Sequence, residues 1–202
     1  MAERILENFK SRRNHACLVQ GPAGRKVVKT FCEEAFFQRE LQIYRLLQNK
    51  GIPCAEVIAI EGNSLVLSEL PGQNLVDWLD RQEQTGRPIW EIWDKLVAWL
   101  CTFWHWTGLV MTDVNLRNFL YDETTKTLYG LDFEECREGN IEISAARVAA
   151  FVRTYKPENT SLKQEISRYI LVLFAQNCGL EVEALFLESK RQETHILQRR
   201  KN

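Results

Sequence analysis

The sequence predicts an α+β protein with a β-rich N-terminal part and a helical C-terminal part. Three observations lead there. Short apolar runs punctuated by Gly and Pro fill residues 16–68. Apolar residues at helical spacing dominate from Leu75 onward. Leu70-Pro71-Gly72 separates the two patterns, so residues 1–70 and 71–202 are expected to form separate lobes.

Taken in order, ACLVQ (16–20) and KVVKTF (26–31) read as two strands around the turn Gly21-Pro22-Ala23-Gly24. From Glu34 to Gln48 the apolar residues Phe37, Leu41 and Tyr44 recur at helical spacing, and Gly51 closes the helix. Residues 57–60 and 65–68 read as a hairpin around Gly62-Asn63. Leu75 to Gln84 predicts one helix. Pro88 opens another that runs through Trp93, Leu96, Leu100 and Phe103 to Gly108. Val110 to Tyr121 reads as a polar loop and Leu128 to Phe133 as a strand. Helices are expected over 142–155, 161–178 and 181–198. All six tryptophans fall between Trp78 and Trp106. Their helical spacing marks the centre of a core rather than a sugar-stacking wall.

With 45% apolar and 26% charged residues, the composition is that of a globular chain. The longest apolar run, Tyr169–Ala175, is far short of the roughly 20 residues a membrane-spanning helix needs. The first residues carry no long apolar stretch of a secretory leader. Six cysteines without close pairing then predict reduced thiols and a cytoplasmic protein. The net charge of −1 conceals +5 over residues 1–30, +4 over 190–202 and −10 between them. Basic ends around an acidic centre suit a metal-dependent site beside a polyanion-binding rim, or are simply solvated.

The chemistry is concentrated in HWTGLVMTDVNLRNFLYDETTKTLYGLDFEE, which starts at His105. Asp113 and Asn118 lie five apart among apolar residues that pin the backbone. A turn near Asp122–Lys126 then leads back to Asp132. Two carboxylates and an amide carbonyl are hard oxygen donors that suit Mg²⁺ held jointly with phosphate oxygens. A carboxylate free of the metal can orient or deprotonate an attacking hydroxyl. The alternative is that both aspartates are caps or turn residues.

This stretch resembles the catalytic and metal-binding loops of the protein-kinase-like superfamily: a His, two residues and a Gly, then an H-x-D-x-x-x-x-N loop, a hairpin and Asp-Phe-Gly or Asp-Phe-Glu. His105 and Gly108 match the upstream pair, Asp113 the catalytic Asp, Asn118 the metal-binding Asn, and Asp132-Phe133 the second metal site. Met111 stands where the loop has its His, and Glu134 where protein kinases have Gly. The latter is similar to aminoglycoside-phosphotransferase-like branches. The resemblance implies a two-lobed kinase-like fold, with a small β-rich N-lobe and a reduced helical C-lobe. It further implies that Lys29 holds the nucleotide phosphates and that Glu40 is its ion-pair partner. Lys26 and Glu33 or Glu34 compete for these roles. Glu69 and Leu70 fall at the adenine-contacting linker. The family's glycine-rich loop lies between the first two strands, where this chain offers Gly21 and Gly24, although Pro22 lacks an N–H. Arg117 is placed to meet an anionic group on the acceptor.

The resemblance thus implies ATP- and Mg²⁺-dependent phosphotransfer to a protein or small-molecule hydroxyl. The departures keep two alternatives open: a kinase-fold pseudoenzyme or scaffold, and an RNA-associated ATPase. The short C-terminal part is similar to RIO-like kinases, lipopolysaccharide core sugar kinases and the small kinase of the tRNA threonylcarbamoylation complex. The basic end, Gln198-Arg199-Arg200-Lys201, then implies RNA or another anionic partner.

Overall fold

Alternating and apolar runs before residue 70 become strands because β-branched residues there pack on both sides of a ladder. A computed structural model describes residues 3–9 and 13–201. It has a mixed α+β fold, β-rich in its N-terminal region and more helical in its C-terminal region. The chain divides into two compact units, Met1–Pro71 with Leu131–Glu135, and Gly72–Gly130 with Cys136–Asn202.

The first unit is built on a five-stranded sheet of order β1-β2-β3-β5-β4. Its strands are β1 (Arg4–Phe9), β2 (His15–Gly21), β3 (Gly24–Thr30), β4 (Val57–Glu61) and β5 (Ser64–Ser68). Every pairing is antiparallel. β1 is a strand that the sequence does not announce. All six of its residues are exposed, and a bulge between Ile5 and Glu7 breaks the alternation that would mark it. The helix α1 (Glu34–Asn49) buries Phe37, Leu41, Tyr44 and Leu47 along one stripe, together with Glu40. Phe133, fully buried, packs edge-on against Tyr44 with ring centres 5.0 Å apart. That contact ties Leu131–Glu135 into this unit.

The second unit holds five helices: α2 (Leu75–Thr85), α3 (Trp90–Thr107), α4 (Glu142–Thr154), α5 (Ser161–Cys178) and α6 (Val182–Lys201). Asn74 caps α2 by accepting from the Val76 and Asp77 amides, and Gly86 ends it in the left-handed region. The buried Gln82 amide oxygen accepts from the Ile89 amide and from Trp93 Nε1, so one side chain sets the α2–α3 corner. Short strands β6 (Gln73–Asn74), β7 (Leu109–Val110), β8 (Phe119–Asp122), β9 (Thr127–Gly130) and β10 (Arg137–Glu138) surround a 3₁₀ turn at Leu116–Asn118. The strand expected over 128–133 stops at Gly130. Asp132 has φ +61°, a conformation no ladder accommodates.

Buried charges then specify how α4, α5 and α6 pack. Arg153 donates to Glu193, Ser167 and Ser189. Lys163, with no exposed surface, donates to the Tyr155 and Pro157 carbonyls. Burial lowers its pKa. Arg200 donates to the Thr154 carbonyl and lies over the Tyr155 ring, so the basic C-terminal residues read as a tail continue a packed helix. Among the described residues, no helix is long and apolar enough to cross a membrane.

Gly72 has φ +102°, and a Cβ there would lie 2.5 Å from the Tyr121 carbonyl oxygen. Gly72→Ala is therefore expected to destabilise the protein by about 2–4 kcal/mol in urea unfolding. An unchanged midpoint would contradict the tight β6–β8 approach.

Candidate functional site

In the first unit, β3 places Lys29 opposite Ala16 and Leu65 in the ladder. Its Nζ lies 2.7 Å from Glu40 Oε2 and 2.7 Å from Asp132 Oδ1, with Glu134 Oε2 at 3.5 Å. The competing cation Lys26 pairs instead with Glu3 at 2.5 Å. Lys29 and Glu40 are thus paired with each other, and Lys26 is engaged elsewhere. Glu40 reaches Lys29 because it sits on the apolar stripe of α1, one position from Leu41.

Glu40 is fully buried, and its Oε1 has no hydrogen-bond partner. Burial pushes its pKa up to about 7, against the opposing pull of Lys29. Burial also works against the charge on Lys29, but Glu40 and Asp132 outweigh it and hold the ammonium above its ordinary value. Burial raises the Glu134 pKa. Asp132, by contrast, keeps 39% of its side chain exposed, so the cluster opens to solvent on that side.

Glu40, Asp132 and Glu134 each offer an oxygen within 4.8 Å of the others. Three hard oxygen donors, one of them orphaned and buried, can hold a divalent cation such as Mg²⁺. Sequence reasoning missed Glu134 as a member of this cluster, treating it only as a replacement for Gly. Its one local signal is its place two residues beyond Asp132.

Two further participants carry no sequence signal. Asn14 donates to Glu134, and Arg13 pairs with Glu135 and, at 3.9 Å, with Glu134. Asn14 Oδ1 in turn accepts from the Cys32 amide at 3.2 Å. Both residues lie in the β1–β2 connection, at the Lys29 end of the sheet. Residues 10–12 of that connection lie outside the described residues.

Gly21 and Gly24 pair with each other at the opposite end of the β2–β3 hairpin, five ladder positions from Ala16–Lys29. The structure does not bring them to Lys29. The displacement follows from β1: with an extra first strand, the turn 21–24 joins the second and third strands. Glu69 is exposed and pairs with Arg25 at 2.5 Å, and Leu70 is half-buried.

In the second unit, Asp113 and Asn118 come together within one loop. Asn118 Nδ2 donates to the Asp113 carbonyl at 2.8 Å, and Asn115 Nδ2 to Asp113 Oδ2 at 3.2 Å. Asn115 also caps the 3₁₀ turn by accepting from the Arg117 amide at 2.8 Å. The Arg117 side chain is exposed. His105 is exposed against Trp106, and Gly108 ends α3 with φ +67°.

Met111 is buried, and its backbone is held from α4. Ser144 Oγ donates to the Met111 carbonyl at 3.1 Å. Arg147 Nη1 donates to the Thr112 carbonyl at 2.6 Å while its Nε donates to Gln192 of α6. The Leu116 amide donates to Tyr155 Oη at 3.2 Å. Burial pushes the Tyr155 pKa up to about 12, which keeps the phenol neutral.

No protein-family model matches this chain, and no curated protein matches it.

Two outcomes follow from these geometries. A carboxyl whose folded pKa lies above its ordinary 4.5 contributes stability at low pH and loses it as pH rises toward about 7. The Tm of the wild type is therefore expected to fall by a few degrees relative to Glu40→Gln between those two pH values. A parallel pair of profiles would remove the raised Glu40 pKa. Arg147→Met is expected to raise amide hydrogen exchange in residues 111–118 by roughly tenfold, about 1.4 kcal/mol of lost protection. Unchanged exchange there would show that the loop does not depend on the guanidinium.

Proposed function

We propose that this chain is a small ATP- and Mg²⁺-dependent phosphotransferase with a two-lobed kinase-like fold. The observation that carries the reading is Lys29 Nζ held 2.7 Å from both Glu40 and Asp132. A buried carboxylate that orients a lysine, beside a second carboxylate open to solvent, is an arrangement suited to phosphate and metal together. The proximity of Asn118 to Asp113 in one loop, and the match of His105–Glu134 to kinase-like loops, support the same reading.

In this reading Lys29, oriented by Glu40, meets the nucleotide phosphates. Asp132, with Glu134 as an added carboxylate, would hold Mg²⁺ in the first unit, and Asn118 keeps the metal-binding role that the loop resemblance implies. When bound, the ion neutralises phosphate charge. Asp113 accepts the proton of a hydroxyl on a protein or small-molecule acceptor. Arg117, exposed and four residues beyond Asp113, is free to meet an anionic group on that acceptor. Glu69 and Leu70 offer backbone groups to the adenine. Gly21 and Gly24, at the far end of the β2–β3 hairpin from Lys29, take no part in covering the phosphates.

The test combines a thermal-shift panel of ATP, GTP and ADP with Mg²⁺ or Mn²⁺ and a phosphotransfer assay. Wild type is expected to show a Mg²⁺-dependent nucleotide shift. Asp132→Ala should abolish that shift. Asp113→Ala should retain it while losing roughly 10²–10⁴-fold in turnover. Turnover unchanged in both variants would refute the proposal. A shift without transfer would identify a nucleotide-binding scaffold, and hydrolysis stimulated by RNA an ATPase.

A further inference from the structure

Cysteines scattered along a chain carry no message until the fold sorts them. Of the six, Cys17 and Cys136 are buried, Cys32 is exposed, and Cys54, Cys101 and Cys178 are intermediate. Cys101 lies within α3 and Cys178 is the last residue of α5, and both belong to the second unit. Their sulfurs are 3.1 Å apart, across 77 residues of sequence. Among the described residues this is the pair of thiols that face each other.

We propose that Cys101 and Cys178 are an oxidative modification site, closed to a disulfide clamp between α3 and α5 by exchange with a low-molecular-weight disulfide. The bond requires the sulfurs to approach to about 2.05 Å, a further movement of roughly 1 Å. The end of a helix can supply it. Gly179, immediately after Cys178, is already in the left-handed region with φ +65°, and α5 stops there.

The order of events follows from access. Cys178 lies between exposed Asn177 and exposed Gly179, so a small disulfide reaches it first. The Cys178 sulfur, as thiolate, attacks one sulfur of the reagent, and the other half leaves as a thiolate that takes up the proton. The Cys101 sulfur then attacks the Cys178 sulfur of the mixed disulfide, giving up its proton, and the second reagent half leaves as a thiol. Two protein thiols and one disulfide become one protein disulfide and two small thiols, so atoms and electrons balance. Burial holds the Cys101 thiol above its ordinary pKa. Thiolate at Cys101 is therefore scarce, and the second exchange is the slower one.

The other thiols lack this route. The Cys54 pKa is pushed up to about 12 by burial. Cys32 is reachable, but among the described residues no second thiol faces it, so exchange there stops at a mixed disulfide. The reduced state expected for all six thiols is then the resting state, and the clamp a second one. None of this depends on the phosphotransfer reading.

The test is incubation of the full chain with excess oxidised glutathione, followed by alkylation, digestion and mass spectrometry without reductant. A Cys101–Cys178 cross-linked peptide is expected, with loss of two hydrogens from the intact protein. Closing so long a loop should raise the Tm by roughly 5–15 °C, reversibly with dithiothreitol. Cys101→Ser and Cys178→Ser should each lack both effects. Cys178→Ser, at a helix end, decides alone if the α3 variant folds poorly. The proposal is overturned if glutathione stays on Cys178, if another pair cross-links, or if the clamped protein is no more stable than the reduced one.

Discussion

A carboxylate with no exposed surface constrains the N-terminal unit. Glu40 sits on the stripe of α1 that also buries Phe37, Leu41 and Tyr44, so the helix cannot seat its apolar face without burying a charge. Left alone, that charge costs several kcal/mol. Lys29 Nζ at 2.7 Å offsets it, which fixes the rotation of α1 against the register of β3. Asp132 and Glu134 gather around Lys29 as well, so three carboxylates surround one cation and the cluster carries excess negative charge. Phe133 between them fills the core against Tyr44. One return segment thus supplies both packing and charge.

The compensation is incomplete, and the remainder is chemically informative. Glu40 Oε1 has no donor, Asp132 adopts a positive φ that non-glycine residues avoid, and three carboxylates crowd one lysine. A unit optimised for stability alone would not keep all three. Features of this kind gather where a protein binds or transforms something, and the excess of carboxylates here favours a cation.

The second unit solves a different problem. The segment 111–118 has little regular structure of its own, so its backbone groups need partners from elsewhere. Ser144, Arg147 and Tyr155 provide them from α4 and just beyond it. Arg147 also reaches Gln192, and Arg200 lies over Tyr155, so α6 supports the same side chains. The loop backbone at Met111 and Thr112 is thereby held from another helix rather than by a side chain of its own. The basic C-terminal residues acquire a structural role that their composition did not suggest.

Local rules determined much of this protein. Helical spacing placed α1 through α6, Pro and Gly marked their limits, and a resemblance in motif spacing drew attention to Lys29, Glu40, Asp113, Asn118 and Asp132. These signals are legible because each depends on residues within a turn or two, or on a compact motif. Tertiary structure decided the rest. Asn14 and Glu134 meet across 120 residues, Arg13 and Glu135 across 122, and no periodicity encodes such encounters. β1 is exposed and bulged, so it lacks the alternation of a buried strand, and without it the turn at Gly21 and Gly24 reads as joining the first two strands. Spacing singled out the carboxylates at 40 and 132 separately. Only the folded chain could place both, with Glu134, around one lysine, because a buried charge must find its partners in space rather than in sequence.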